Sequence, residues 1–99
     1  MAKTKKVRSK TENTVTVHAE FRDTSSGSSD FTATHNNKNP KTLTQTGHVS
    51  FDGVTKGDTI EISSDSPGKT TVTVSGANTK PVKMTADPGE HLGDFFVIL

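Results

Sequence analysis

The chain has 99 residues, with 12 basic against 11 acidic side chains, 27% apolar residues and no cysteine, tryptophan or tyrosine. A chain this short makes one domain with a single thin core, and the lack of cysteine rules out disulfides, thiolate metal sites and a cysteine nucleophile. No stretch approaches the roughly 18 consecutive apolar residues of a membrane span.

Lys3, Lys5, Lys6, Arg8 and Lys10 all fall in the first ten residues, which leaves seven basic and eleven acidic residues in positions 11–99. A basic arm precedes a mildly acidic body. With Val7 as its one large apolar residue after the methionine, the arm has too little hydrophobicity to offset the entropy of ordering, and reads as flexible. It also lacks the apolar segment of a signal peptide, so the expectation is a soluble chain made in the cytosol, with its final location open.

Residues 13–99 read as one β domain. Threonine occurs seventeen times and falls out of phase with valine, isoleucine and phenylalanine. That period of two is the pattern of a strand with one wet and one dry face. Val15, Val17, Ala19 and Phe21 should point one way, with Thr14, Thr16, His18 and Glu20 pointing the other. Asp23 to Asp30 is a run of small polar residues that suits a long hairpin loop. Phe31, Ala33 and His35 continue as a second strand, closed by the turn-forming run Asn36 to Pro40.

From Leu43 to Phe51 the apolar alternation is broken by Gln45 and Gly47, which places a bend near Gly47. Asp52-Gly53 and Lys56-Gly57-Asp58 read as turns, with Ile60 and Ile62 in the strand that follows. Ser66-Pro67-Gly68-Lys69 and Asp87-Pro88-Gly89-Glu90 both have proline second and glycine third, the type II requirement. Val72 and Val74, then Val82 and Met84, mark further strands and core positions. The chain closes on Phe95, Phe96, Val97, Ile98 and Leu99. About seven short strands, with turn signals near every ten residues and no significant helix, indicate an all-β fold. The expected form is a single antiparallel β-sandwich of immunoglobulin-like, fibronectin-like or jelly-roll-like topology.

Chemistry is harder to read from these residues. His18, Glu20 and His48 lie on wet strand faces, and if their strands are neighbours they could converge on a divalent metal. No His-x-His spacing supports that, and the simpler reading is exposed histidines with no metal or other cofactor. No Gly-x-Ser-x-Gly elbow, phosphate-binding glycine loop or EF-hand ligand order is present. The Asp23 to Asp30 loop is rich in oxygen ligands but reads as a solvated hairpin loop. Repeated Thr-x-Thr is too irregular in spacing for an ice-binding ladder and reflects strand propensity.

The basic arm could track nucleic-acid phosphates, but it has no aromatic platform and the body is acidic, so a solubilising tail with no partner is the first reading, and docking onto an acidic protein surface ranks ahead of nucleic-acid binding. Phe95 to Leu99 breaks the alternation rule, because a strand with one wet face should not be apolar at every position. Cover for its second face must come from the arm, from a loop or from another subunit, which points to a protein partner or self-association. The interaction candidates are therefore Lys3, Lys5, Lys6, Arg8, Lys10 and Phe95, Phe96, Val97, Ile98, Leu99. The leading function is a non-enzymatic assembly or docking module, a structural or accessory subunit of a larger assembly. The alternatives are a carbohydrate-binding module, which the missing Trp and Tyr disfavour, and a small metal-dependent enzyme around His18, Glu20 and His48.

Overall fold

A computed structural model of the chain describes residues 13–24 and 27–99. The basic arm and its five cations lie outside the described residues. The strands are β1 (Asn13–Arg22), β2 (Asp30–His35), β3 (Lys38–Leu43), β4 (Gly47–Val54), β5 (Thr59–Asp65), β6 (Lys69–Ser75), β7 (Thr79–Lys80), β8 (Lys83–Ala86) and β9 (Leu92–Ile98). They form two antiparallel sheets, ordered β4-β1-β6-β8 and β3-β2-β5-β9-β7. Apart from the β2–β3 hairpin, each connection carries the chain from one sheet to the other. The expected all-β sandwich is thus what the chain builds.

The core forms where the two inner faces meet. In β1, Val15, Val17, Ala19 and Phe21 are buried and alternate with Thr14, Thr16, His18 and Glu20 on the outer face. Phe31 and Ala33 of β2, Phe51 and Val54 of β4, Ile60 and Ile62 of β5, Val72 of β6 and Met84 of β8 complete the interior together with Phe96 and Ile98 of β9. Burying such side chains supplies most of the driving force, at roughly 1.5–3 kcal/mol for each large one. Three serines also enter the interior with partners: Ser29 and Ser66 share a 2.7 Å hydrogen bond, and the Ser64 hydroxyl donates to the Asp30 carbonyl at 2.7 Å.

Several local expectations needed tertiary correction. Asn36 and Asn37 take φ of 50° and 61°, both left-handed, and make a two-residue hairpin whose twist suits the flanking strands. The strand β3 then begins at Lys38, within the run read from sequence as a turn. It tolerates Pro40 because it is the edge of its sheet, where a missing N–H leaves no ladder bond unmade. The segment from Leu43 to Phe51 does not run as one strand. It changes sheet between β3 and β4, at the place where Gln45 and Gly47 interrupt the apolar pattern. Asp52-Gly53 is a bulge inside β4 rather than a turn: the β1 register slips between Asn13 and Val15, and Gly53 takes φ of 68°.

Val82, assigned to the core from sequence, is 79% exposed, whereas Val54, not counted there, is fully buried. Val82 precedes the point at which β8 begins to pair, Thr73 with Lys83, so no neighbouring strand holds it inward.

Candidate functional site

The β9 segment settles how a strand apolar at every position is accommodated. Phe96 and Ile98 turn into the core, while Phe95 and Leu99 are 47% and 59% exposed and Val97 is half-buried. The alternation rule therefore holds for β9 as geometry, and its violation is one of composition: the outer positions carry apolar side chains where threonine would serve. Within the described residues the exposed large hydrophobics are Val82, Phe95 and Leu99, all on β9, at its end or on the link that borders it. Glu61 of β5 lies opposite Phe95, and Lys80 of β7 lies opposite Val97. An apolar stripe is thus flanked by an acid on one side and a base on the other.

The edge of β9 is only partly covered. The two-residue β7 pairs with Val97 and Ile98 alone. The Ile98 N–H donates to the Asp58 carbonyl on the β5 side, and the Leu99 N–H donates to the Asn78 carbonyl on the β7 side. By alternation the Phe95 N–H also points to the β7 side, beyond the reach of β7, where it would template another strand. Asp94 prevents this, since its carboxylate accepts the Phe95 N–H at 2.8 Å. Asp94 pairs with the buried Ile62 and so occupies an inward-facing register position, yet it is exposed at the open edge. A charge at such a position is a known means of blocking edge-to-edge pairing. Sequence reasoning passed over Asp94, although its phase with Phe96 and Ile98 was visible.

The second candidate lies on the outer face of the four-stranded sheet. β1 and β4 are neighbours, and His18 and His48 stand directly opposite each other, with ring centroids 5.8 Å apart. They line a cleft of about 410 Å³ with Glu20, Thr46, Gly47, Thr71 and Thr73. The His18 ring is hydrogen-bonded to the Ser75 hydroxyl at 3.1 Å. Glu20 belongs to the same cleft, but its carboxylate lies 3.4 Å from the Arg22 guanidine. No group of three His, Cys, Asp or Glu side chains placed to hold a metal occurs among the described residues. Around this cleft the outer face is closed by its own hydrogen bonds, Thr16 with Ser50 at 2.9 Å and Thr14 to Asp52 at 2.8 Å.

A third polar constellation is sheltered. His35 Nε2 lies 2.8 Å from Asp58 Oδ2, with side chains 13% and 18% exposed. Burial pushes the Asp58 carboxyl up, but the Thr55 N–H, His35, Asn36 and the Thr55 hydroxyl together lower it from 3.8 to about 2. The Thr55 N–H donates to Asp58 Oδ2 at 2.9 Å, and the Asp58 N–H closes the turn on the Thr55 carbonyl at 3.0 Å. This group fastens the turn before β5 to the end of β2, and its role is structural.

The remaining oxygen-rich positions do not gather around one point. Asp52, Asp58 and Asp65 bond separately, to Thr14, to Thr55 and His35, and to His91 respectively. Among the described residues no helix is long and apolar enough to cross a membrane. No known protein family, curated protein or solved structure shows significant similarity to this chain.

Proposed function

We propose that the protein is a non-enzymatic assembly module, a structural or accessory subunit that associates with a second copy of itself through the outer face of β9. The observation that carries this reading is the apolar stripe of Phe95, Val97 and Leu99 left open on an otherwise hydroxyl-rich surface. Removing apolar area from water is the main favourable term in association, and exposed apolar groups rimmed by polar ones mark interaction surfaces.

The flanking charges favour a like partner. A two-fold axis running along β9 carries Glu61 of one copy towards Lys80 of the other, so the surface is complementary to itself, as an isologous interface requires. Asp94 argues for stacking of faces rather than addition of a strand to the open edge. The carbohydrate-binding alternative has less support. Phe95 is the one exposed phenylalanine, and it sits on an apolar stripe rather than in a polar cleft. The metal-dependent enzyme lacks a third ligand in place among the described residues.

Sedimentation equilibrium across a concentration series tests the proposal. The wild type should dimerise or assemble further, Phe95→Ser should shift the population to monomer, and Asp94→Ala should leave the face-to-face dimer intact. A wild type that stays monomeric at millimolar concentration overturns the reading. So does a Phe95→Ser variant that associates as well as the wild type.

A further inference from the structure

The facing imidazoles of His18 and His48 form a feature independent of the β9 surface. They come from adjacent strands in direct register, so their positions are fixed by the β1–β4 ladder and not by a loop. Two imidazoles sharing one metal ion, with metal–nitrogen bonds of about 2.0–2.1 Å, hold their ring centroids no more than roughly 6.4 Å apart. The observed separation of 5.8 Å is already within that span.

Three further observations bear on the same place. Gly47, next to His48, contributes no side chain and opens the cleft, and Thr46, Thr71 and Thr73 line it with hydroxyls that suit water ligands. The Ser75 hydroxyl engages one ring nitrogen of His18, which orients the ring and leaves the other nitrogen as the donor, an outer-shell arrangement typical of histidine ligands. Finally, His48 has no hydrogen-bond partner among the described residues, so ligation would cost it no internal contact.

We propose that His18 and His48 bind a divalent transition-metal ion as a two-imidazole chelate on the outer face of the four-stranded sheet, with water in the remaining coordination positions. Imidazole suits copper, nickel and zinc, and the Irving–Williams order makes Cu²⁺ the tightest of the three. Magnesium and calcium, which take oxygen ligands, should not compete. The bound ion would pin the edge strand β4 to β1 across its outer face.

Isothermal titration of the untagged full chain with Cu²⁺, Ni²⁺ and Zn²⁺ at pH 7.5, in a buffer that does not chelate them, tests the site. One ion per chain is expected, in the affinity order Cu²⁺ over Ni²⁺ and Zn²⁺, with a metal-dependent rise in Tm. Losing an outer-shell partner of a histidine ligand already lowers metal affinity by about 10–100-fold, so His18→Ala and His48→Ala should each cost more than about tenfold. Both side chains are exposed, and circular dichroism should show the variants folded. His91→Ala, on the link before β9 and away from this cleft, should bind as the wild type does. Copper binding that survives in the His18→Ala/His48→Ala double variant overturns the proposal, as does wild-type protein that binds none of the three ions.

Discussion

The outer faces of the two sheets solve the same problem differently. On the four-stranded sheet most outward positions are threonine, serine and histidine, with charged residues such as Glu20, Asp52 and Lys83 among them, and several bond to one another, Thr16 to Ser50 and His18 to Ser75. That surface is complete in a single molecule. On the five-stranded sheet the outward positions of β2 and β5 follow the same rule, but β9 places Phe95 and Val97 beside Glu61 and Lys80. The contrast separates two kinds of β surface: one face is finished by polar side chains that bond to one another, and the other leaves an apolar stripe exposed.

The largest effect that sharpens the contrast compares the two adjacent phenylalanines. Phe96 is fully buried, so Phe96→Ala should cost about 3–5 kcal/mol of unfolding free energy in a urea titration. The second largest effect tests whether sheltered polar groups differ from those on the open polar face. The Asp58 carboxyl titrates at about 2 when folded against 3.8 otherwise, so its bonds contribute about 2 kcal/mol at pH values above 3.8. That contribution is lost as the pH falls from 3.8 to about 2, because the unfolded chain takes up the proton first, and below about 2 both states carry it. In acid titrations followed by circular dichroism, the stability gap between wild type and Asp58→Asn should therefore narrow from pH 4 to pH 2.

A smaller effect is expected on the open face. Thr16→Val removes one solvent-facing hydrogen bond from a half-buried position and should cost about 0.5–1.5 kcal/mol in the same titration. Smallest of all is Phe95→Ala, whose folding stability should stay within about 0.5 kcal/mol of wild type while association changes. If Phe95→Ala instead destabilised the monomer as much as Phe96→Ala, the two faces of β9 would not differ in kind.

What could be read from the sequence was governed by how local the cause was. The alternation in β1 was legible because side chains two apart share a face whatever their partners. The turn Asp87 to Glu90 formed as its residues require, with Gly89 at φ 79° and the Glu90 N–H bonded to the Asp87 carbonyl at 2.9 Å. Ser66 to Lys69 has the same proline and glycine spacing, yet Gly68 is not among the residues of positive φ. Glycine is needed there because a Cβ would lie 1.7 Å from the Arg22 carbonyl oxygen, a contact from a distant strand end that no local pattern records.

The candidate sites divide in the same way. That Phe95 to Leu99 was anomalous could be read directly, because the anomaly is one of composition. That His18 faces His48 could not, since it depends on β1 choosing β4 as its neighbour. The sheltered pairing of His35 with Asp58 was missed for that reason too: the two residues meet only when the turn before β5 reaches the end of β2.

The position of β1 between β4 and β6 also sets a timescale. Neither neighbour adjoins it in the chain, so β1 has no hairpin partner and waits for two large loops to close before its apolar stripe is covered. In the five-stranded sheet, only β2 and β3 pair across a tight turn. Chains whose contacts are mostly non-local fold over milliseconds to seconds rather than microseconds. During that interval the threonines that line the other side of β1 keep an uncovered strand compatible with water.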